Sequence, residues 1–225
     1  MSTGAPIPLG EIVARLAEMY GAPDPPASTD PLELILWENV VYLASEERRT
    51  AAFLLLKRRV GTEPEQIVAA SDEALLEITR AGIMPELQAS KLRTIAEIAL
   101  SEFDGDLRPV LCLPPAKAKK ALQRFPSIGK PAAEKILLFA RACPVLALDS
   151  NGLRVLLRLG YGTEQKSYAA SYRSAQEAVG AQVTECAGLI AAHQLLKRHG
   201  QATCRRALPA CESCSLAQGC PACRT

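Results

Sequence analysis

The chain has 225 residues, 48% of them hydrophobic and only 4% aromatic, with a formal net charge of +2. That length can bury one core or two small ones, and a composition rich in Ala and Leu favours helix over sheet. No run of 18 apolar residues exists to cross a membrane, and MSTGAPIPLGE lacks the basic start and apolar stretch of a secretory signal. A cytoplasmic protein is expected, in which eight cysteines would not form a disulphide framework.

In chain order, residues 8–20 place Leu9, Ile12, Val13, Leu16 and Met19 on one stripe and predict an amphipathic helix. The prolines of 21–31 end it. A second helix should begin near Pro31, and its nearly all-apolar stretch from Leu34 to Leu43 predicts burial on most faces. A charged-then-apolar helix follows over 46–60. Thr62 with Glu65 has the spacing of a capping box, and Ser71 is placed to cap a helix ending near Gly82. Helices over 87–103, 116–124, 130–142, 151–159, 168–179 and 184–199 complete an all-α chain without repeats or low-complexity tracts.

Charge is unevenly spread. Residues 1–110 hold 10 Lys and Arg against 18 Asp and Glu, whereas residues 111–225 hold 16 against 6. A basic half suits a nucleic-acid-binding face, although two halves that merely neutralise each other would give the same counts.

The tail reads Cys204-x6-Cys211-x2-Cys214-x5-Cys220, with Cys223 beyond. Thiolates this close in sequence can converge on a metal centre, and the gaps alone admit either zinc or an iron–sulphur cluster. The spacing resembles the 4Fe–4S loop of endonuclease III and its relatives, and the lead-in HQLLKRHGQATC is similar to the helix before that loop. The resemblance implies a 4Fe–4S cluster held by Cys204, Cys211, Cys214 and Cys220. It makes Cys223 a bystander, leaves Cys112, Cys143 and Cys186 as small core residues, and gives Lys197, Arg198, Arg205 and Arg206 DNA phosphates to hold.

Upstream, AKAKKALQRFPSIGKPAAEKILLFARA over 116–142 predicts helix, tight turn, helix. Phe125-Pro126-Ser127-Ile128-Gly129 resembles the L-P-G-x-G hairpin of the helix-hairpin-helix DNA glycosylase superfamily. Such a turn leaves N–H groups at a helix start, here around Ser127, Ile128, Gly129 and Lys130, where a phosphate can be held without reading sequence. Ser127 stands where the family places its first hairpin Gly, a cost if the position needs positive φ.

Asp149 is the one Asp of the basic half. In Leu146-Ala147-Leu148-Asp149-Ser150-Asn151 it also reads as an ordinary N-cap. The segment is similar to the family's V-D-T-H or L-D-G-N, which implies that Asp149 is the catalytic carboxylate. Asn151 matches the D-x-N form of monofunctional mismatch glycosylases. The family's lyase lysine falls at Pro131, which carries no amine, so hydrolysis without a Schiff base is implied; Lys130 is the neighbour that a bifunctional alternative would use. Glu38, in PLELILWENVVYL, falls where mismatch glycosylases carry a catalytic Glu, and an apolar setting would raise its proton affinity as a general acid. Tyr42 or Leu43 lies where relatives insert a side chain into the duplex, though a core place fits equally.

The resemblance thus implies two helical lobes: a barrel over 30–143 containing the hairpin, and an iron–sulphur lobe from 1–29 plus 144–225. It implies a monomeric, nucleoid-associated base-excision glycosylase acting on double-stranded DNA with a damaged or mismatched base. A bifunctional lyase, an inactive iron–sulphur DNA-binding protein and a zinc-bound regulator are the alternatives.

Overall fold

The computed structural model describes residues 6–180 and 182–223. The first five residues of the stretch read above for a targeting signal lie outside that range. Among the described residues the chain is all α, with one isolated bridge and no strand. The helices are α1 (Leu9–Tyr20), α2 (Pro31–Asn39), α3 (Glu46–Arg59), α4 (Pro64–Ala69), α5 (Asp72–Thr79), α6 (Pro85–Phe103), α7 (Pro115–Leu122), α8 (Lys130–Phe139), α9 (Ser150–Arg158), α10 (Tyr168–Val179) and α11 (Cys186–Ala202). Two compact units divide them: Pro26–Cys143 carries α2 to α8, and Met1–Pro25 with Pro144–Thr225 carries α1 and α9 to α11.

In the unit 26–143, Asp30 starts α2 by accepting the N–H groups of Leu32 and Glu33 at 2.9 and 3.0 Å, with Pro31 in the first turn. Leu32, Leu34, Ile35, Leu36, Val40 and Val41 are all buried, each burial stabilising by roughly 1.5–3 kcal/mol. Helices α3, α6 and α8 pack around α2 and take up its several apolar faces.

The helix stops earlier than its apolar run. Beyond Asn39 the chain turns out, and Tyr42 O accepts the Ile83 N–H at 3.1 Å in an antiparallel bridge. Gly82 permits this approach, since a Cβ there would lie 2.8 Å from the Tyr42 backbone. Tyr42 and Leu43 are 47% and 73% exposed, so neither is core.

Caps follow local chemistry with one shift. Ser71 accepts from Ala74 N as its position predicted. The Thr62–Glu65 box does not form. Pro64 fixes the first turn one residue later, Gln66 reaches back to Glu63 N, and the Thr62 hydroxyl donates to Glu33 instead.

In the other unit, α11 packs against α1 and α9, and α9 against α10. Helix α11 runs past residue 199 through Gly200. A Cβ on Gly200 would stand 2.7 Å from Asn151 O, so this glycine lets α9 and α11 approach backbone to backbone.

Candidate active site

The segment leading into α9 is extended and has no ladder partner, yet Leu146, Ala147 and Leu148 are buried. Buried backbone must find partners, and side chains supply them. Gln176 Nε2 donates to Leu146 O at 2.9 Å, and His193 Nδ1 lies 2.8 Å from Ala147 O. Leu148 N donates to Tyr172 Oη, and the Tyr168 hydroxyl donates to Leu148 O, both at 3.4 Å. These contacts from α10 and α11 fix the chain immediately before Asp149.

Asp149 is the N-cap of α9. One carboxylate oxygen accepts the Gly152 N–H at 2.7 Å, and the other accepts from Asn151 Nδ2 at 3.0 Å. The Asn151 carbonyl accepts from Arg154 Nη2 at 3.0 Å, which fixes the amide with its NH2 toward Asp149. Burial, with the Asp149 charge adding to it, pushes the Tyr168 phenol up to about 12, so it stays neutral.

Arg154 also donates to Gly200 O at 2.6 Å and Cys204 O at 3.1 Å. One turn on, Arg158 donates to Cys204 Sγ at 3.3 Å and to the carbonyls of Arg205 and Arg206 at 2.8 and 3.2 Å. Two α9 guanidinium groups therefore tie the cysteine loop to the helix that Asp149 caps. Arg205 and Arg206 are themselves exposed.

Cys204, Cys211, Cys214 and Cys220 line one cavity of about 140 Å³, and Cys223 lines it too. Among the described residues no three His, Cys, Asp or Glu side chains gather closely enough to hold a single metal ion. Two N–H donors face these sulphurs, and the Cys220 thiol donates to Arg158 O at 3.4 Å. Arg158 faces Cys204, and Leu216 N donates to Cys214 Sγ at 3.4 Å. His199 Nε2 lies 3.5 Å from Cys214 Sγ, while Nδ1 meets the Tyr20 hydroxyl at 2.9 Å. Burial pushes the Cys214 thiol up, so a thiolate there needs a nearby cation. Sequence reasoning missed His199 and Tyr20 at this centre; the HG before Cys204 was the available signal.

In the unit 26–143, the turn between α7 and α8 takes the hairpin form. Ser127 has φ of 61°, in the left-handed region, and its hydroxyl accepts from Lys91 Nζ at 3.0 Å. Ile128 is buried as an anchor, while Ser127, Gly129 and Lys130 are exposed. Asn39 Nδ2 donates to Pro126 O at 3.1 Å and so pins the turn to the end of α2. The start of α8 faces outward with its first-turn N–H groups, the usual place for an anion. Lys130 Nζ lies 3.9 Å from the buried Glu134, which also pairs with Lys119 at 3.1 Å.

Glu38 does not sit in an apolar setting. Its carboxylate pairs with Lys135 and lies 3.9 Å from Arg49 Nη1, and both cations also face the Trp37 ring. The apolar setting expected from the sequence is thereby corrected, because the packing of α3 and α8 against α2 brings both cations to Glu38. Beside it, Trp37 Nε1 and Asn39 Oδ1 are buried without a hydrogen-bond partner. Sequence reasoning also missed Ile83 and Met84, which stand 47% and 52% exposed next to Tyr42, with Met84 and Leu43 both at positive φ.

No family model matches the chain. Endonuclease III of Sulfolobus acidocaldarius is 25% identical over 191 residues, covering 84% of this chain and 79% of that protein. Among solved structures, a trapped endonuclease III–DNA covalent intermediate superposes with a TM-score of 0.74 at 18% identity, covering 97% of this chain and 98% of that one. A thermostable thymine-DNA glycosylase does so with a TM-score of 0.74 at 15% identity, covering 96% and 97%. The all-α fold, with its hairpin before α8, is thus that of these solved structures, and the sequence is similar to endonuclease III.

Proposed function

We propose that the chain is a base-excision DNA glycosylase that hydrolyses the N-glycosidic bond of a damaged or mismatched base and leaves the strand uncut. The observation that carries this reading is Asp149, held as the cap of α9 with Asn151 on its second oxygen. A fixed negative charge beside C1′ stabilises the positive sugar that forms as the C1′–N bond breaks, and it orients the water that adds to C1′.

The rest of the chain supplies binding. N–H groups at the start of α8, together with Lys197, Arg198, Arg205 and Arg206, hold phosphates without reading sequence. Tyr42 and Leu43 are apolar, exposed and therefore available to fill the gap left by an extruded nucleotide. Glu38 is the carboxyl assigned to protonate the departing base, and it must draw its proton against Lys135.

Two features support hydrolysis over a lyase step. Pro131 has no amine. Lys130, one residue earlier, lies about 100° away from that position round the helix.

The thiols fit a 4Fe–4S cluster by their chemistry: they surround a cavity, with Arg158 and Leu216 N–H groups aimed at sulphur. Cys204, Cys211, Cys214 and Cys220 would hold the cluster, which would cross-link the loop and supply no electron to the hydrolysis.

A panel of duplexes, each with one uracil, thymine, alkylated purine or deaminated purine lesion, tests the proposal. Strand breaks appearing only after alkali are expected for at least one lesion. Breaks without alkali would overturn the strand-uncut part, and no excision of any lesion would overturn the whole.

A further inference from the structure

The loop between α9 and α10 is held firmly against α10. Gly162 has φ of 75°, and a Cβ there would come within 2.6 Å of the Ser174 backbone, so only glycine lets the loop lie this close. Thr163 N donates to Ser174 Oγ at 3.0 Å, and Gln165 N donates to Ser171 Oγ at 2.8 Å. Ser167 then caps α10. Glu164 and Lys166 alternate with these anchored residues and are exposed.

This loop lines a groove of about 850 Å³ together with α9 and part of the cysteine loop. The groove takes in Ser150, the neighbour of Asp149, and extends to Arg206. Its charges are Arg154, Arg158, Lys166 and Arg206 against Glu164 alone. Arg154 and Arg158 are fixed by the carbonyls they donate to. Lys166 and Arg206 are exposed, and among the described residues neither side chain has a hydrogen-bond or ion-pair partner. Next to Asp149 the Tyr168 ring is 45% exposed, although its hydroxyl donates inward to Leu148 O. Cations along a groove, with an exposed aromatic ring among them, suit a strand of nucleotides better than a single anion.

We propose that this groove carries the sugar–phosphate backbone of the lesion strand on one side of the extruded nucleotide. Lys166 and Arg206 pair with its phosphates, and the Tyr168 ring packs on the sugar or base nearest Asp149. The inference rests on the glycosylase reading given above, since chemistry at Asp149 is what brings the strand to this end of the groove. Contacts of this kind hold and orient DNA without reading its sequence. Because the loop is already fixed to α10, little freedom is lost when the strand binds.

The test uses the full chain and a duplex carrying a tetrahydrofuran abasic-site analogue, which has no glycosidic bond to cut. Affinity is measured across a range of salt concentrations. Lys166→Ala should weaken binding several-fold and reduce the slope of log affinity against log salt by about one. Glu164→Gln should tighten binding. Tyr168→Leu should weaken it with the slope unchanged, whereas Tyr168→Phe keeps the ring and should match the wild type. Arg173→Ala removes the same charge from an exposed residue outside the groove and should change little.

Shortening the duplex gives a second reading. Removing base pairs from one side of the analogue should abolish the difference between wild type and Lys166→Ala, and removing them from the other side should preserve it. Equal affinity and slope in wild type and Lys166→Ala would overturn the groove. Displacement of the duplex by a free mononucleotide, lost in Lys166→Ala, would also overturn it and make the groove a site for small nucleotides. A wild type that binds no duplex would instead overturn the glycosylase reading beneath it.

Discussion

Asp149 and Asn151 are joined by a 3.0 Å hydrogen bond from the Asn151 amide to the carboxylate oxygen that Gly152 does not use. The same amide is held from behind by Arg154, which also grips the carbonyls of Gly200 and Cys204. A carboxylate that was only a cap would need none of this. Asp149→Asn separates the two roles, because Asn caps a helix about as well as Asp. The variant should keep its melting temperature while single-turnover excision falls roughly 100- to 1000-fold. Asn151→Ala should leave the cap in place and give a smaller loss. Unchanged excision in Asp149→Asn would leave the residue as a cap alone.

Lys130 is the residue on which the lyase alternative stands, and its ammonium is turned toward Glu134. It stands one residue before Pro131, about 100° away round α8. Incubating enzyme and lesion duplex with borohydride should therefore trap no covalent complex. Lys130→Gln should keep base excision within about threefold, since the loss is that of one exposed phosphate contact. A trapped band that vanishes in Lys130→Gln would establish a Schiff base instead.

Ser127 adopts the left-handed conformation that glycine takes without cost. Ser127→Gly should therefore stabilise the unit 26–143 by up to about 1 kcal/mol, less whatever the exposed Lys91 contact contributes. DNA affinity should hold or rise, because the backbone at the start of α8 is unaltered. Thermal unfolding with duplex titration checks both, and a clearly destabilised variant would mean that the Lys91–Ser127 bond outweighs the strain.

What could be read in the sequence was mostly what neighbours along the chain decide. Ser71 and Asp149 cap their helices, and α2 starts at Pro31, because each start is settled within three residues. Ser127 was recognisable as a strained position from the hairpin pattern alone. The capping box at Thr62 failed because Pro64 moved the helix start by one residue. Glu38 was misjudged for a different reason. Its partners Arg49 and Lys135 lie on α3 and α8, and only the packing of both against α2 brings them to it. The side-chain clamps on residues 146–148, supplied by α10 and α11, have no local signature either.

Glu38 and Lys135 form an ion pair. If Glu38 donates a proton to the departing base, Glu38→Gln should lose most of the excision, whereas Lys135→Met keeps the carboxyl and should lose less. Single-turnover excision by both variants checks this, and activity retained in Glu38→Gln would take Glu38 out of the chemistry.

His199 ties stability to pH through the cysteine centre. It is buried against Tyr20 and Cys214, and burial lowers it from 6.5 to about 4. Above pH 6.5 the imidazole is neutral in folded and unfolded chains alike and has no effect on stability. As pH falls from 6.5 toward 4, the unfolded chain binds a proton that the folded one refuses, and stability is lost across that window. Below about 4 the folded chain binds it too, and the loss levels off at no more than about 3 kcal/mol. Melting temperatures of the iron-free chain measured between pH 7.5 and 4.5 should therefore fall more steeply for the wild type than for His199→Gln. Carboxylates contribute equally to both curves and cancel in the comparison. Parallel curves would mean that the imidazole takes up its proton without leaving its place beside Cys214, and that the Tyr20–His199–Cys214 contact does not require a neutral ring.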